Sequence, residues 1–387
     1  MAGILYGWIG VYYGQMAQMV DTWVYHFESL KETELLKSNP VEFITSLFQK
    51  HNNESYTNFF SSQDSWWNDV KANFFIKILA VFNLLSHSNY YINVIFYSFI
   101  TLFGPVALFR IMQNIYPGRK LPVLLATFLI PSFLYWTSGL HKEGLIFLGL
   151  SLIMYSLYFG FKEKKFTVYS FILIFLGFIL ILLLRNYVII ALVTPLMAWV
   201  ISAKTRFKPI FTFGFTLLLS LAFFFSSKYL APSLNLPGAI VNKQQEFLQL
   251  EGGGSTVQVK ELEPTLASFI KNVPQAVSLS ILRPYPSDVH HLLSLAAAIE
   301  INMLLLLIII FFIWRKDNIA LTPFNLFCLF FSAIVLLMIG YTVNILGAIV
   351  RYRSIVLPLL FIPIIAHIDW TKPISLITGN INVKNNN

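Results

Sequence analysis

Apolar stretches of membrane-spanning length follow one another along this chain, separated by turns of only a few polar residues. A helix needs about 20 apolar residues to cross a hydrocarbon core of roughly 30 Å. Runs of that order fall at residues 90–110, 121–138, 143–161, 166–184, 187–202, 209–225, 292–314, 321–340 and 354–368. A further run, 1–20, is interrupted by Gln15 and Gln18. It lacks the basic start and small-residue cleavage site of a signal peptide, so it reads as a retained first span or a truncated one. From Phe166 to Ser202 the apolar run is too long for one span, and Arg185-Asn186 splits it into two spans joined by a tight hairpin. Pro117, Pro122, Pro131, Pro209 and Pro323 sit at or near expected helix starts, where a missing N–H costs little.

Two polar stretches break this pattern. Residues 21–88 are polar and aromatic, and within them Ala72 to Leu85 has helical apolar spacing with Lys71 and Lys77 beside it, which predicts a helix lying in the membrane interface. Residues 226–291 read as one long loop, with Gly252-Gly253-Gly254-Ser255 as a flexible linker in its middle. The expectation is an all-α fold: a single polytopic transmembrane bundle over residues 1–387, of about 10 helices, with extracytoplasmic loops and interfacial helices. No internal or inverted repeat stands out, which weakens the case for a transporter built from two related halves.

Composition agrees with this picture. The 387 residues are 57% hydrophobic and only 12% charged, against about 25% charged in soluble domains. Aromatics reach 16%, which suits lipid-facing surfaces and interfacial belts. The net charge of +9 comes from lysines and arginines in short loops, so positive-inside placement explains it better than a nucleic-acid partner. One set of alternate loops carries Arg110, Arg119 and Lys120, then Lys162, Lys164 and Lys165, then Lys204, Arg206 and Lys208, then Arg315 and Lys316. That set is assigned to the cytoplasm. Residues 21–88, 226–291 and the turns at 139–143, 185–186 and 341–353 then share the outer face. Cys328 is the single cysteine, so no intrachain disulfide is possible.

The outer face carries the candidate chemistry. Lys142, Arg185, Arg283, Arg351 and Arg353 all avoid the side where positive charge is cheap, and such placement asks for an anion. Arginine offers a fixed fork of donors that matches phosphate, and lysine a point charge. The alternative for each residue singly is snorkelling to lipid headgroups. The turn Ser138-Gly139-Leu140-His141-Lys142-Glu143-Gly144 could present backbone N–H groups to an anion at the start of the next helix, with Glu143 a carboxylate favoured by the helix dipole. Glu300 lies about two turns below the outer surface, where a carboxylate is expected to pair with an outer-face arginine. For acid–base work the candidates are Asp21, His26, Asp64, Asp69, Asp288, His290 and His291. Asp21 ranks first because it falls where the first span would emerge, with His290 or Asp288 behind it. The adjacent histidines do not share a helix face and have no third ligand of matching spacing, so zinc is not expected. No phosphate-cradling glycine loop for ATP is present. No cofactor is assigned, and a divalent metal is left open.

A first span followed by an outer loop opening on an acidic residue, with further spans and converging basic residues, resembles the GT-C superfamily of integral-membrane glycosyltransferases. Trp136-Thr137-Ser138-Gly139-Leu140-His141-Lys142-Glu143, Leu184-Arg185-Asn186-Tyr187, Leu282-Arg283-Pro284-Tyr285-Pro286 and Arg351-Tyr352-Arg353 also resemble patterns in membrane proteins of bacterial polysaccharide-synthesis clusters, O-antigen polymerases and ligases among them. The chain departs from the mannosyltransferase pattern in that Asp21 is followed by Thr22 rather than a second acid. The resemblance implies a multi-pass enzyme of the bacterial cytoplasmic (inner) membrane with its active face extracytoplasmic. Its donor would be a polyprenyl-phosphate- or diphosphate-linked sugar and its acceptor a glycan or lipid-linked molecule, among membrane lipids and without nucleic acid. Asp21, Asp288 or His290 would act as base, the five basic residues would hold the phosphate, and Glu143, Glu300 and Tyr187 would support them. A repeat-unit polymerase is the enzymatic alternative. A flippase or anion carrier for a lipid-linked glycan is the non-enzymatic one.

Overall fold

The computed structural model describes residues 1–12, 20–48, 66–230, 234–250, 254–316 and 322–373. Asp64, Gly252, Gly253 and the second half of the expected first span lie outside these, and the Asp69 side chain is not described. The described chain is helical almost throughout. Helices α1 (Ala2–Tyr12), α2 (Val20–Ser38), α3 (Pro40–Thr45) and α4 (Trp66–Ser86) come first. Helices α5 (Tyr90–Thr101) and α6 (Phe103–Ile115) run on as one apolar stretch of 26 residues. They are followed by α7 (Lys120–Phe128), α8 (Pro131–Ser138), α9 (Lys142–Lys162), α10 (Val168–Leu184), α11 (Asn186–Lys204) and α12 (Pro209–Leu230). The chain continues through α13 (Leu236–Gln249), α14 (Leu266–Val277), α15 (Leu292–Trp314), α16 (Pro323–Thr342), α17 (Leu346–Ser354) and α18 (Leu357–His367).

Six of these stretches are long and apolar enough to cross a membrane, and eight if each bent pair counts as one span. This is the expected all-α membrane bundle. Several of the expected spans differ in detail. The run at 121–138 is two helices, α7 and α8, bent by 53°, and the run ending at 368 is α18 preceded by α17 at 64°. Proline accounts for both breaks: Pro131 opens α8 and Pro358 stands in the first turn of α18, and neither can continue a preceding helix. Helix α10, with 17 residues, and α1, with 11, are shorter than a full span. Arg185 alone separates α10 from α11, as the hairpin reading expected.

Helix starts follow local chemistry. Thr167 and Ser170 form a reciprocal capping box at α10, and Thr322 caps α16 with Pro323 in its first turn. Burial then sorts the spans: α9 and α16 have 67% and 61% of their apolar windows buried and stand at the centre. Helices α12 and α15, at 17% and 22%, present Phe211, Phe215, Leu218, Ile299 and Met303 outward, as lipid-facing surfaces do. Close approach of α9 and α10 depends on Gly149 and Gly177, since a Cβ on Gly149 would sit 2.9 Å from the Gly177 carbonyl oxygen.

The segment 226–291 is not the loop expected. Helix α12 extends to Leu230, and α13 and α14 are capped by Asn235 and Thr265. An extended piece is tied to the start of α17, with Val257 N donating to Asn344 O at 2.8 Å and Leu346 N to Ser255 O at 3.0 Å. Helix α14 lies against α16, burying Phe269, Asn272 and Ala276. Its end passes into a π turn at Ser278–Leu282, and the Arg283-Pro284 peptide beyond is cis. The stretch expected as an interfacial helix is α4, which packs along α2 through a buried polar seam: Asn83 Nδ2 donates to Ser29 Oγ at 2.9 Å and to Thr33 Oγ1 at 3.0 Å.

The bundle has two chemically different ends. At one, Tyr158 Oη and Lys162 Nζ donate to Asn114 Oδ1, and Lys316 N donates to His367 O. This end gathers basic residues from the set expected to face the cytoplasm. At the other end Asp21, the turn at 139–143, Arg185 and α17 come together.

Candidate functional site

Glu143 is the centre of this second end. It stands in the first turn of α9, where the helix dipole favours a carboxylate, and its side chain is fully buried. Arg185 Nη2 donates to its Oε1 at 2.6 Å, and Arg351 Nε lies 3.7 Å from the same oxygen. Its Oε2 is in a short contact with His141 Nδ1. A buried carboxylate costs several kcal/mol unless compensated, and here two guanidinium groups and an imidazole supply the compensation.

His141 Nδ1 faces Glu143 and lies 3.0 Å from the Lys142 backbone N, while Nε2 lies 3.2 Å from Arg351 Nη1. His141 is thus held between a buried carboxylate and a guanidinium, with Nε2 on the side of Arg351 and Asp21. Its walls are aromatic: Trp136, Tyr25 and Tyr6 face the ring at centroid distances of 5.9, 6.1 and 6.4 Å. Tyr97 Oη donates to its backbone carbonyl.

Outward from this pair lies Asp21 of α2, whose Oδ2 accepts from Arg351 Nη1 at 3.0 Å and lies 3.8 Å from His141 Nε2. Burial pushes the Asp21 carboxyl up, but its contacts with His141 and the Arg351 charge outweigh that and hold it below its ordinary value. The site is graded in depth, with side-chain exposure of 46% at Asp21, 15% at Arg351 and none at Glu143. Arg185 and Arg351 are held flat by tyrosines. Arg185 lies 3.9 Å above the Tyr352 ring and donates to Tyr187 Oη at 2.9 Å, and Arg351 Nη2 donates to Tyr352 Oη at 3.1 Å. Lys142 sits over the Tyr25 ring at 5.3 Å. Lys142, Arg185 and Arg351 stand with the two carboxylates Asp21 and Glu143, so the site carries surplus positive charge suited to an anion.

Of the residues expected from the sequence, Asp21, Lys142, Glu143, Arg185, Tyr187 and Arg351 come together here. Arg353 and Arg283 form a neighbouring unit. Arg353 is 1% exposed and donates from Nη1 to Ser280 O at 3.2 Å and to Arg283 O at 2.6 Å, which pins the π turn to α17. Arg283 Nη1 lies 3.4 Å from Asp288 Oδ1, while Asp288 Oδ2 accepts from Tyr285 N at 2.8 Å. Asp288 therefore holds its own turn. His290 N donates to Ser294 Oγ, and His291 Nδ1 accepts from Ser294 N as the cap of α15. Glu300 was expected to pair with an outer-face arginine. Its hydrogen bonds go instead to Ser132, from N and Oγ, both at 2.6 Å, where it caps the N-terminus of α8, and Arg353 acts on it only through its charge. His26 is buried between Trp23 and Tyr90, away from the cluster's hydrogen bonds, and burial lowers its imidazole.

His141 and Tyr352 are the site residues that the sequence did not single out. The available signal was a histidine two positions before a helix-start glutamate. Among the described residues no group of three or more His, Cys, Asp or Glu side chains is arranged to hold a metal ion. No family model matches the chain, and no curated protein or solved structure matches it either.

Proposed function

We propose that this protein is a membrane glycosyltransferase of cell-surface polysaccharide synthesis, taking its sugar from a polyprenyl-phosphate- or diphosphate-linked donor. The observation that carries the reading is the convergence of Arg185, Arg351 and His141 on the buried Glu143, with Arg351 also meeting His141 Nε2. The acceptor hydroxyl oxygen attacks the anomeric carbon and its proton passes to His141 Nε2. The bond from that carbon to the phosphate oxygen breaks, and the phosphate leaves with the electron pair. Arg351 and Arg185 stabilise the departing charge, an electrostatic role that their burial strengthens. Arg351 links the two halves: Nη1 now engages His141 and Asp21, and an arriving phosphate competes for it, freeing Nε2 to accept a proton. Asp21, held ionised, steadies Arg351 rather than serving as base. The basic loops of the opposite end support a cytoplasmic position for that end and an extracytoplasmic one for the site.

A repeat-unit polymerase would use the same chemistry on a larger donor. A flippase is less well supported, since the buried charge gathers at one end. The test is the surface glycan of a deletion strain complemented with wild type, Arg185→Ala or Arg351→Ala. We expect wild type alone to restore it. Loss of one side-branch sugar identifies a transferase, whereas loss of polymer with single repeat units retained identifies a polymerase. An unchanged glycan at normal protein abundance would refute the enzyme reading.

A further inference from the structure

Beside the Arg283 turn an apolar groove of about 520 Å³ runs along the outward face of α15. Leu295, Ile299, Met303 and Leu306 line it at helical spacing with one polar residue, Asn302, and Pro286 and Val289 line it from the turn before α15. From Leu295 to Leu306 it extends about 16 Å at 1.5 Å per residue, roughly half of a 30 Å hydrocarbon core. The groove is therefore one leaflet deep. What distinguishes it from the rest of the exposed α15 surface is the turn above it. Pro286 and Val289 flank Asp288, whose contact with Arg283 Nη1 at 3.4 Å is long and leaves the fork incompletely used. Arg283 Nε is buried and has no hydrogen-bond partner among the described residues. An apolar channel with an underused guanidinium at its mouth matches an amphiphile with an anionic head.

We propose that this groove holds the hydrocarbon chain of a phosphate-bearing membrane lipid, with its phosphate against Arg283. The proposal rests on the reading above that the donor is carried on a membrane-embedded chain, and it locates where that chain lies. The experiment uses the full-length protein in phosphatidylcholine vesicles with a long-chain alkyl phosphate that bears a photoreactive group in mid-chain. Cross-linked positions are read by mass spectrometry. We expect labelling at Ile299 and Met303 several-fold above that at Phe312, which is equally exposed on α15 but lies outside the groove. Unlabelled alkyl phosphate should compete, and the alcohol of the same chain should not. Arg283→Gln should weaken labelling by about tenfold, the scale of one charge-assisted hydrogen bond. Equal labelling at Phe312, or equal competition by the alcohol on the wild-type protein, overturns the proposal whether or not the variant folds. Binding is read without turnover. If the glycan is lost in Arg185→Ala while groove labelling is absent in the wild type, only the groove assignment fails.

Discussion

Replacing Glu143 with glutamine tests how the site is held together, because the change keeps shape and removes one charge. In the native protein the Glu143 carboxylate is fully buried and takes Arg185 Nη2 at 2.6 Å on one oxygen and the His141 ring on the other. Glutamine keeps one acceptor oxygen but carries no charge, so Arg185 and His141 can no longer both face a carboxylate oxygen. Arg185, with 10% side-chain exposure, then remains a buried cation without its counter-charge. Stranding one member of a buried ion pair costs about 3–5 kcal/mol, a large share of the 5–15 kcal/mol typical of a folded domain. We expect Glu143→Gln to lower the thermal unfolding midpoint of the detergent-purified protein well below wild type. Adding Arg185→Gln removes the stranded charge, so the double variant should be more stable than the sum of the two single changes predicts, by about 0.5–3 kcal/mol. If Glu143→Gln unfolds within about 0.5 kcal/mol of wild type, the level of an ordinary surface substitution, the buried pair is not what holds this end of the bundle. Strict additivity in the cycle would refute the coupling itself.

Arg185→Lys keeps the charge but loses the fork that serves Glu143 and Tyr187 together and the stacking on Tyr352. It should fail to restore the surface glycan while accumulating to near-normal levels, as an immunoblot beside the glycan profile would show. Asp21→Asn should lower the unfolding midpoint at neutral pH, and the gap from wild type should close in acid. Because the folded Asp21 carboxyl lies below its ordinary value, its stabilisation is complete above the unfolded value of about 3.9 and disappears as pH falls through the lower folded value. Midpoints measured across that window check both the sign and the position. Gly340→Ala should destabilise by about 1–3 kcal/mol, because its Cβ would press on the Ala276 backbone and push α14 off α16. Increased protease cleavage within 254–264 in that variant would register the displacement.

The spans were legible because crossing a hydrocarbon core sets a length that composition alone reveals, and most of them lie where the apolar runs do. The breaks were harder to see. Residues 121–138 carry no charged side chain, and only Pro131 marks where α7 gives way to α8. The segment 226–291 read as loop because α13 and α14 mix polar and apolar residues, although Asn235 with Pro237, and Thr265, are helix-start signals present in the sequence. Five basic residues were expected at one site, and Lys142, Arg185 and Arg351 meet there. Arg351 and Arg353 diverge because 341–353 is largely helical rather than a turn, and residues two apart on a helix do not share a face. His141 gave only the signal of a histidine two positions before a helix-start glutamate, since the carboxylate and the arginine that meet its two nitrogens are assembled only by the fold.

The contact between Asp21 and Arg351 spans 330 positions of sequence. At about 5–20 residues per second of synthesis, Asp21 waits roughly 20 to 60 seconds for its partner to be made. In the second half of that interval Glu143 and Arg185, 42 positions apart, can already pair, but His141 Nε2 has no Arg351 to meet it. The order of translation therefore builds the inner pair first and completes the site last. A nascent chain halted before α17 would hold this end without Arg351, its surplus positive charge gone and Asp21 without its guanidinium.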